Sequence, residues 1–199
     1  ATASSGLPVT FSVASGPATV TNNTITITGA GTVTIRASQA GNSNFSAAPN
    51  VVQTFTVAKA NQTITFGALS EKTLGDPPFA VSATASSGLP VSLNIAEGPA
   101  TISGNVVTLT GGGTVKVRAS QAGDANFNAA TAADQSFTVS VILTTSATAG
   151  GTVTKNPNQT TYTLNSSVTL NPQPSTGFAF TGWSGNASGT QNPLIMTMD

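Results

Sequence analysis

Cysteine and histidine are both absent from this chain. Without thiols there is no disulfide, no cysteine nucleophile and no zinc–thiolate site. Without imidazole there is no Ser-His-Asp triad and no histidine metal ligand. Charge is scarce as well: 6% of residues are Asp, Glu, Lys or Arg, against about 25% in ordinary soluble domains. Basic and acidic residues number 6 each, so the net charge is zero. No basic patch is available to neutralise phosphates, and nucleic acid is not an expected partner. No apolar run approaches the roughly 20 residues that span a bilayer, so membrane insertion of this segment is not expected. The few acids are scattered. Glu71 and Asp76 share a loop, but neither the first copy nor a second loop offers the matched partner across a cleft that a glycosidase needs, its two carboxylates about 5–10 Å apart. No catalytic residue, cofactor site or metal ligand set is expected, and the chain does not read as an enzyme.

What is present is Thr, Ser, Asn and Gln for the surface, with a hydrophobic fraction of 38% for ordered cores. Threonine suits an exposed strand face, because it is β-branched and its hydroxyl is satisfied by water. The Glu, Lys, Arg and Leu that long helices use are rare. The expected class is all-β. Absent thiols fit either a cytosolic or a bacterial extracellular origin, and the Thr/Ser/Asn surface favours the extracellular one.

The strongest signal is internal. Residues 1–9, ATASSGLPV, return as residues 83–91, and an offset of 82 aligns residues 1–57 with 83–139 without a gap. About 35 of these 57 pairs are identical, the mark of a tandem structural unit. Residues 59–82, KANQTITFGALSEKTLGDPPFAVS, have no counterpart before residue 1. The second copy therefore reads as the complete unit, and the first as a unit lacking its first strands.

Alternation assigns the inward rows. In the second copy these are Ile64 and Phe66; Phe79, Val81, Ala83 and Ala85; Val91, Leu93 and Ile95; Ile102; Val107 and Leu109; Val115, Val117 and Ala119; Phe137 and Val139. Ser86-Ser87-Gly88, Glu97-Gly98-Pro99, Gly104-Asn105 and Gly111-Gly112-Gly113 are turns. Phe127 is expected to plug one end of the core. The first copy repeats the rows with Phe11, Val13, Val20, Ile25, Ile27, Val33, Ile35, Ala37, Phe45, Phe55 and Val57. Inward replacements are apolar for apolar (Phe11 for Leu93, Val13 for Ile95, Ile27 for Leu109), while outward positions drift. Short strands at close spacing predict Greek-key sandwiches of immunoglobulin type, without the disulfide or core tryptophan.

SGLPV, GPATV/GPATI, GTVTIRASQAGNSNF/GTVKVRASQAGDANF and QTFTV/QSFTV resemble the bacterial immunoglobulin-like repeats found in tandem on large secreted and surface proteins. That resemblance implies spacers and adhesive stalks. Beyond Ser140 the pattern changes. GGTVTKNP (150–157), SVTLNPQPSTGFAFTGWSG (167–185) and NPLIMTMD (192–199) resemble the divergent InlB B-repeat family, which implies a small β-rich, β-grasp-like module. The family usually adds one more strand. The expected division is 1–57, an immunoglobulin-like repeat lacking its first strands; 58–140, a complete repeat; and 141–199, a B-repeat-like module lacking its last strand. Short linkers are expected around 57–60 and 140–143, and the chain reads as an excerpt of a longer polypeptide.

Individual residues carry weaker signals. Arg36 and Arg118 lie mid-strand facing outward, as solvated or cross-strand groups, with ligand contact the alternative. Asp124 could help hold calcium, but Asn42 replaces it in the first copy, which favours turn capping. Gly111–Gly113 lacks the lysine and helix of a phosphate loop. Lys59 and Lys72 invite an isopeptide bond, yet the closing strand offers no Asn partner. Six N-x-S/T sequons, at Asn22, Asn44, Asn61, Asn158, Asn165 and Asn186, fit coincidence in so Asn-rich a chain. Trp183, the only tryptophan, is either module core or a stacking platform for a sugar.

The expected function is a non-catalytic structural or adhesive stalk or fibre segment of a bacterial secreted or cell-surface protein. Two alternatives stand beside it: a carbohydrate-binding accessory region of a secreted hydrolase, and a filament subunit assembled by strand complementation between chains. Expected partners are neighbouring repeats of a longer chain, adjacent copies in a fibre, and host or matrix glycans.

Overall fold

A computed structural model describes residues 1–199, and every regular element in it is a strand. In the first copy the strands are β1 (Thr10–Ser15), β2 (Ala18–Thr21), β3 (Thr24–Ile27), β4 (Gly31–Gln39) and β5 (Ala48–Val57). In the second they are β6 (Ile64–Phe66), β7 (Lys72–Thr73), β8 (Phe79–Ala80), β9 (Ala83–Ala85), β10 (Ser92–Glu97), β11 (Ala100–Ser103), β12 (Val106–Leu109), β13 (Gly113–Ser120) and β14 (Ala133–Ser140). The C-terminal region adds β15 (Gly151–Asn156), β16 (Ser167–Pro174) and β17 (Leu194–Thr197).

The second copy holds the immunoglobulin-type strand arrangement. One sheet has the order β10-β13-β14-β7, with β7 parallel to the end of β14 through Lys72↔Val139 and Thr73↔Ser140. The facing strands run β11-β12-β8, and β6 pairs with β9. The expected continuous strand over 79–85 is divided into β8 and β9. Its two halves bond to different partners, and the Val81 N–H at the break donates to the Asn105 carbonyl at 2.9 Å. The inward row survives the break, because Val81 and Ala85 are both buried. Val107, Val115, Val117, Ala119 and Val139 are fully shielded, and Phe79 meets Phe137 edge to face at 5.6 Å between centroids.

The two copies share register as well as sequence. Phe11↔Ala37 and Val13↔Ile35 in β1/β4 reappear 82 residues later as Leu93↔Ala119 and Ile95↔Val117 in β10/β13. Both ladders break at the same place, between Val13 and Ser15 and between Ile95 and Glu97. The glycine after each bulge explains its recurrence. Gly16 and Gly98 have φ of +99° and +96°, and a Cβ on either would collide with the carbonyl oxygen of Thr32 or Thr114.

The first copy has smaller sheets: β1-β4-β5 where the second has four strands, and β2-β3 where the second has three. The strands without counterparts are β6, β7, β8 and β9, the first three drawn from residues 59–82.

In the C-terminal module β15-β16-β17 form an antiparallel sheet, and no helix packs on it. Its core is Val141, Tyr162, Val168, Leu170 and Met198, with Leu143, Val153, Trp183, Leu194 and Met196 packed around it. The expected linker near 140–143 is thus part of this module. Val141 exchanges two backbone hydrogen bonds with Tyr162, each 2.8 Å, and its side chain is buried.

By contacts the chain divides into two compact units. One contains Ala1–Ile64, Thr84–Pro90 and Gln121–Thr131; the other contains Thr65–Ala83, Val91–Ser120 and Ala132–Asp199. The first unit therefore gathers the first copy with two loops of the second.

Candidate functional site

Charged groups do surface work here. Arg118 on β13 donates Nε and Nη2 to the two carboxylate oxygens of Asp134 on β14, each at 2.8 Å, across the register Arg118↔Asp134. That hydrogen bond, with Coulomb attraction, raises the Arg118 pKa, and it holds the Asp134 carboxyl below its ordinary value against a smaller opposing desolvation. Lys116 and Glu97 pair at 2.7 Å across β13 and β10. The first copy repeats neither pair: Arg36 stands opposite Val52, and Thr34 opposite Ser15. An ion pair present in one copy and lost in the other is cross-strand support and not a repeated binding site.

The loop acids and amides are spent on turn geometry. Asp124 Oδ1 accepts from the N–H groups of Asn126 at 2.7 Å and Phe127 at 2.8 Å. Asn42 Oδ1 does the same for Asn44 at 2.9 Å and Phe45 at 3.0 Å. Since the neutral amide performs the task, the carboxylate charge is not what this position requires. No group of three or more His, Cys, Asp or Glu side chains gathers anywhere in the chain. Lys72 lies over the ring of Phe79, 4.6 Å from its centroid, and Lys59 Nζ donates to the Asp124 carbonyl.

Buried Gln62 anchors the entry to the second copy. Its Nε2 donates to Gln121 Oε1 and to the Asn128 carbonyl, while Ser87 Oγ donates to its Oε1. Ala60, placed in the expected linker near 57–60, exchanges 2.8 Å backbone bonds with Asn126 and Asn128. The Gly29-Ala30-Gly31 turn of the first copy meets the same loop, with the Ala30 N–H donating to Asn126 Oδ1 at 2.9 Å. The equivalent turn of the second copy meets the next module, where a Cβ on Gly112 or Gly113 would lie 3.5 or 3.4 Å from Leu164. Small residues at this turn let a neighbouring module approach.

Trp183 is half-buried against the C-terminal core. Its indole N–H donates to the Gln191 carbonyl at 2.7 Å, its backbone N–H to Gly189 at 2.7 Å, and its ring lies 5.0 Å from Phe180. Phe178 packs on Gly150 and remains largely exposed. These three aromatics border an open cleft of about 780 Å³ whose other wall is the irregular segment 143–150.

The largest departure from the inward rows lies in the first copy. Ile25 is 41% exposed where its counterpart Val107 is 0%, and Phe55 is 40% exposed where Phe137 is 4%. Ile27 and Phe45 are exposed as well. Alternation places these residues correctly on one face of their strands. It carries no information on whether another strand covers that face, as β8 does for β12 in the second copy.

Residues 141–199 match the family described as Divergent InlB B-repeat domain. No curated protein matches the chain. Among solved structures it is similar to Drosophila N-cadherin EC1-4, at a TM-score of 0.31 and 10% identity, over 66% of this chain and 41% of that one. The chain thus spans less than half the length of that cadherin structure. No helix is long and apolar enough to cross a membrane.

Proposed function

We propose that this chain is a non-catalytic structural or adhesive segment of a bacterial secreted or cell-surface protein. Serial β-sandwich modules span distance and present other parts of the assembly. The observation that carries the reading is the doubled register: one strand ladder, with its bulge and its obligatory glycine, is built twice at an offset of 82 residues. The surface ion pairs, by contrast, are not kept between copies. Selection for a shared site would hold the surface; selection for a scaffold holds the interior. The B-repeat match of residues 141–199 supports an extracellular location. The partners on this reading are neighbouring repeats or adjacent copies in a fibre. Pulling single molecules from both ends tests it. Discrete unfolding peaks are expected, each releasing a module-sized length of chain at roughly 3.3–3.6 Å per residue. A featureless extension at low force would overturn the mechanical role.

A second reading, glycan binding at the C-terminal module, is favoured by one feature, the cleft bordered by Phe178, Phe180 and Trp183. A sugar laid on these rings would change Trp183 fluorescence, and Phe178→Ala would abolish the response. No response across a glycan panel removes this reading and leaves the first untouched.

A further inference from the structure

We infer that the middle residue of the glycine turn decides which kind of module can dock on a repeat. Glycine at 112 opens a socket for Val141 and Leu164 of the C-terminal module, and alanine at that place, as in the first copy, would close it. The two turns are otherwise one structure. Gly29-Ala30-Gly31 and Gly111-Gly112-Gly113 stand 82 residues apart. In each, the residue before the turn closes on a proline of its own repeat: the Thr28 N–H donates to the Pro17 carbonyl and the Thr110 N–H to that of Pro99, both at 2.9 Å. The last glycines, Gly31 and Gly113, share a positive φ, +135° and +125°. Gly112 itself has no positive φ. Ala30 fills its place in the first copy, so the backbone of the turn accepts a side chain there.

What differs is the neighbour. The turn of the first copy meets a polar group: the Ala30 N–H donates to Asn126 Oδ1 at 2.9 Å. Asn126 is fixed by its own backbone, whose N–H donates to Asp124 Oδ1 at 2.7 Å and whose carbonyl accepts from Ala60 at 2.8 Å. The donor on the turn is main chain, so the alanine keeps this bond while carrying its methyl. The turn of the second copy meets hydrocarbon. A Cβ on Gly112 would lie 2.7 Å from Val141 Cγ1 and 3.5 Å from Leu164 Cδ1, and one on Gly113 would lie 3.4 Å from Leu164 Cδ2. Carbon atoms in contact sit about 3.5–4.0 Å apart, so the first of these distances is a collision. Val141 is poorly placed to swing aside. Its β-branched side chain is stiff at χ1, it is buried, and its backbone exchanges two 2.8 Å hydrogen bonds with Tyr162. Gly111 supplies the contrast, because a Cβ there would meet Pro99 of its own repeat, at 3.1 and 3.7 Å, and nothing of the C-terminal module. Glycine at 112 therefore answers to the module that follows and not to the turn. A repeat with alanine at this place keeps the polar docking and refuses the apolar one.

The test compares Gly112→Ala with Gly111→Ala in the full 199-residue chain by amide hydrogen exchange. In Gly112→Ala the Val141 and Tyr162 amides should exchange about tenfold faster or more, the effect of overfilling a packed contact. The amides of β13 should stay within about twofold of wild type, since the turn itself accepts alanine. Gly111→Ala should leave Val141 and Tyr162 within the same limit. Three results would overturn the proposal. One is unchanged exchange at Val141 and Tyr162 in Gly112→Ala. Another is equal loss of protection along β13, which would make the glycine a need of the turn. The third is equal loosening of the C-terminal module by Gly111→Ala. Should Gly112→Ala unfold the whole C-terminal module while β13 keeps its protection, the proposal stands, because the repeat has then lost its neighbour alone. Neither the pulling experiment nor the glycan panel bears on these outcomes.

Discussion

At the scale of single residues, the chain's behaviour follows from a few positions where geometry leaves no choice. Gly98 is one: its φ of +96° and the Thr114 carbonyl beneath it exclude any side chain. Gly98→Ala is expected to cost about 1–3 kcal/mol, read as a lowered urea midpoint at unchanged slope. Asp134 is another. Its carboxyl is held below the ordinary value by the hydrogen bond from Arg118. A depressed carboxylate pKa adds stability that is present above the unfolded value and is lost as pH falls through the folded one. Side-chain NMR should therefore find Asp134 titrating below a free aspartate, and Arg118→Gln should return it to the ordinary range. The stability gap between wild type and Arg118→Gln should be small, because both groups are exposed, and should close on acidification below that range.

At the scale of elements, β5 and β14 test how much a strand owes to its neighbours. They share the closing Phe-Thr-Val, yet β14 is covered by β7 and β8 while β5 is not. Phe137→Ala should cost about 3–5 kcal/mol, the range for emptying a filled aromatic site. Phe55→Ala should cost less than half as much, because that ring leaves water only in part. Equal losses in denaturant melts of the two variants would mean that Phe55 is covered in solution. The division of residues 79–85 into β8 and β9 is an element-scale outcome as well. Alternation identifies the inward side chains, but backbone partners on two sheets decide where the ladder breaks.

At the scale of the whole molecule, stability should be uneven. The first copy has two sheet edges that the second has covered, and local opening follows exposed backbone and sparse apolar cover. Hydrogen exchange at β3 and β5 should be faster than at β12 and β14, and limited proteolysis should cut within 1–57 before it cuts within 83–139. Cleavage in the reverse order would contradict the exposed face. Val51 and Val52 on β5 are exposed as well.

The sequence by itself determined the all-β class, the repeat, the turns and the side of each strand that carries apolar residues. All of these are local or periodic: a two-residue alternation, a glycine where φ is positive, an offset of 82 residues. Only the tertiary structure decided which of two like residues is dry. Ile25 and Val107 occupy the same place in the same pattern, and a strand contributed from elsewhere in the fold shields one and not the other. The same holds for Arg118, paired where Arg36 is not, and for Val141, which sequence spacing put in a linker and packing put in a core. Burial and pairing belong to neighbours distant along the chain, and pattern along the chain does not carry them.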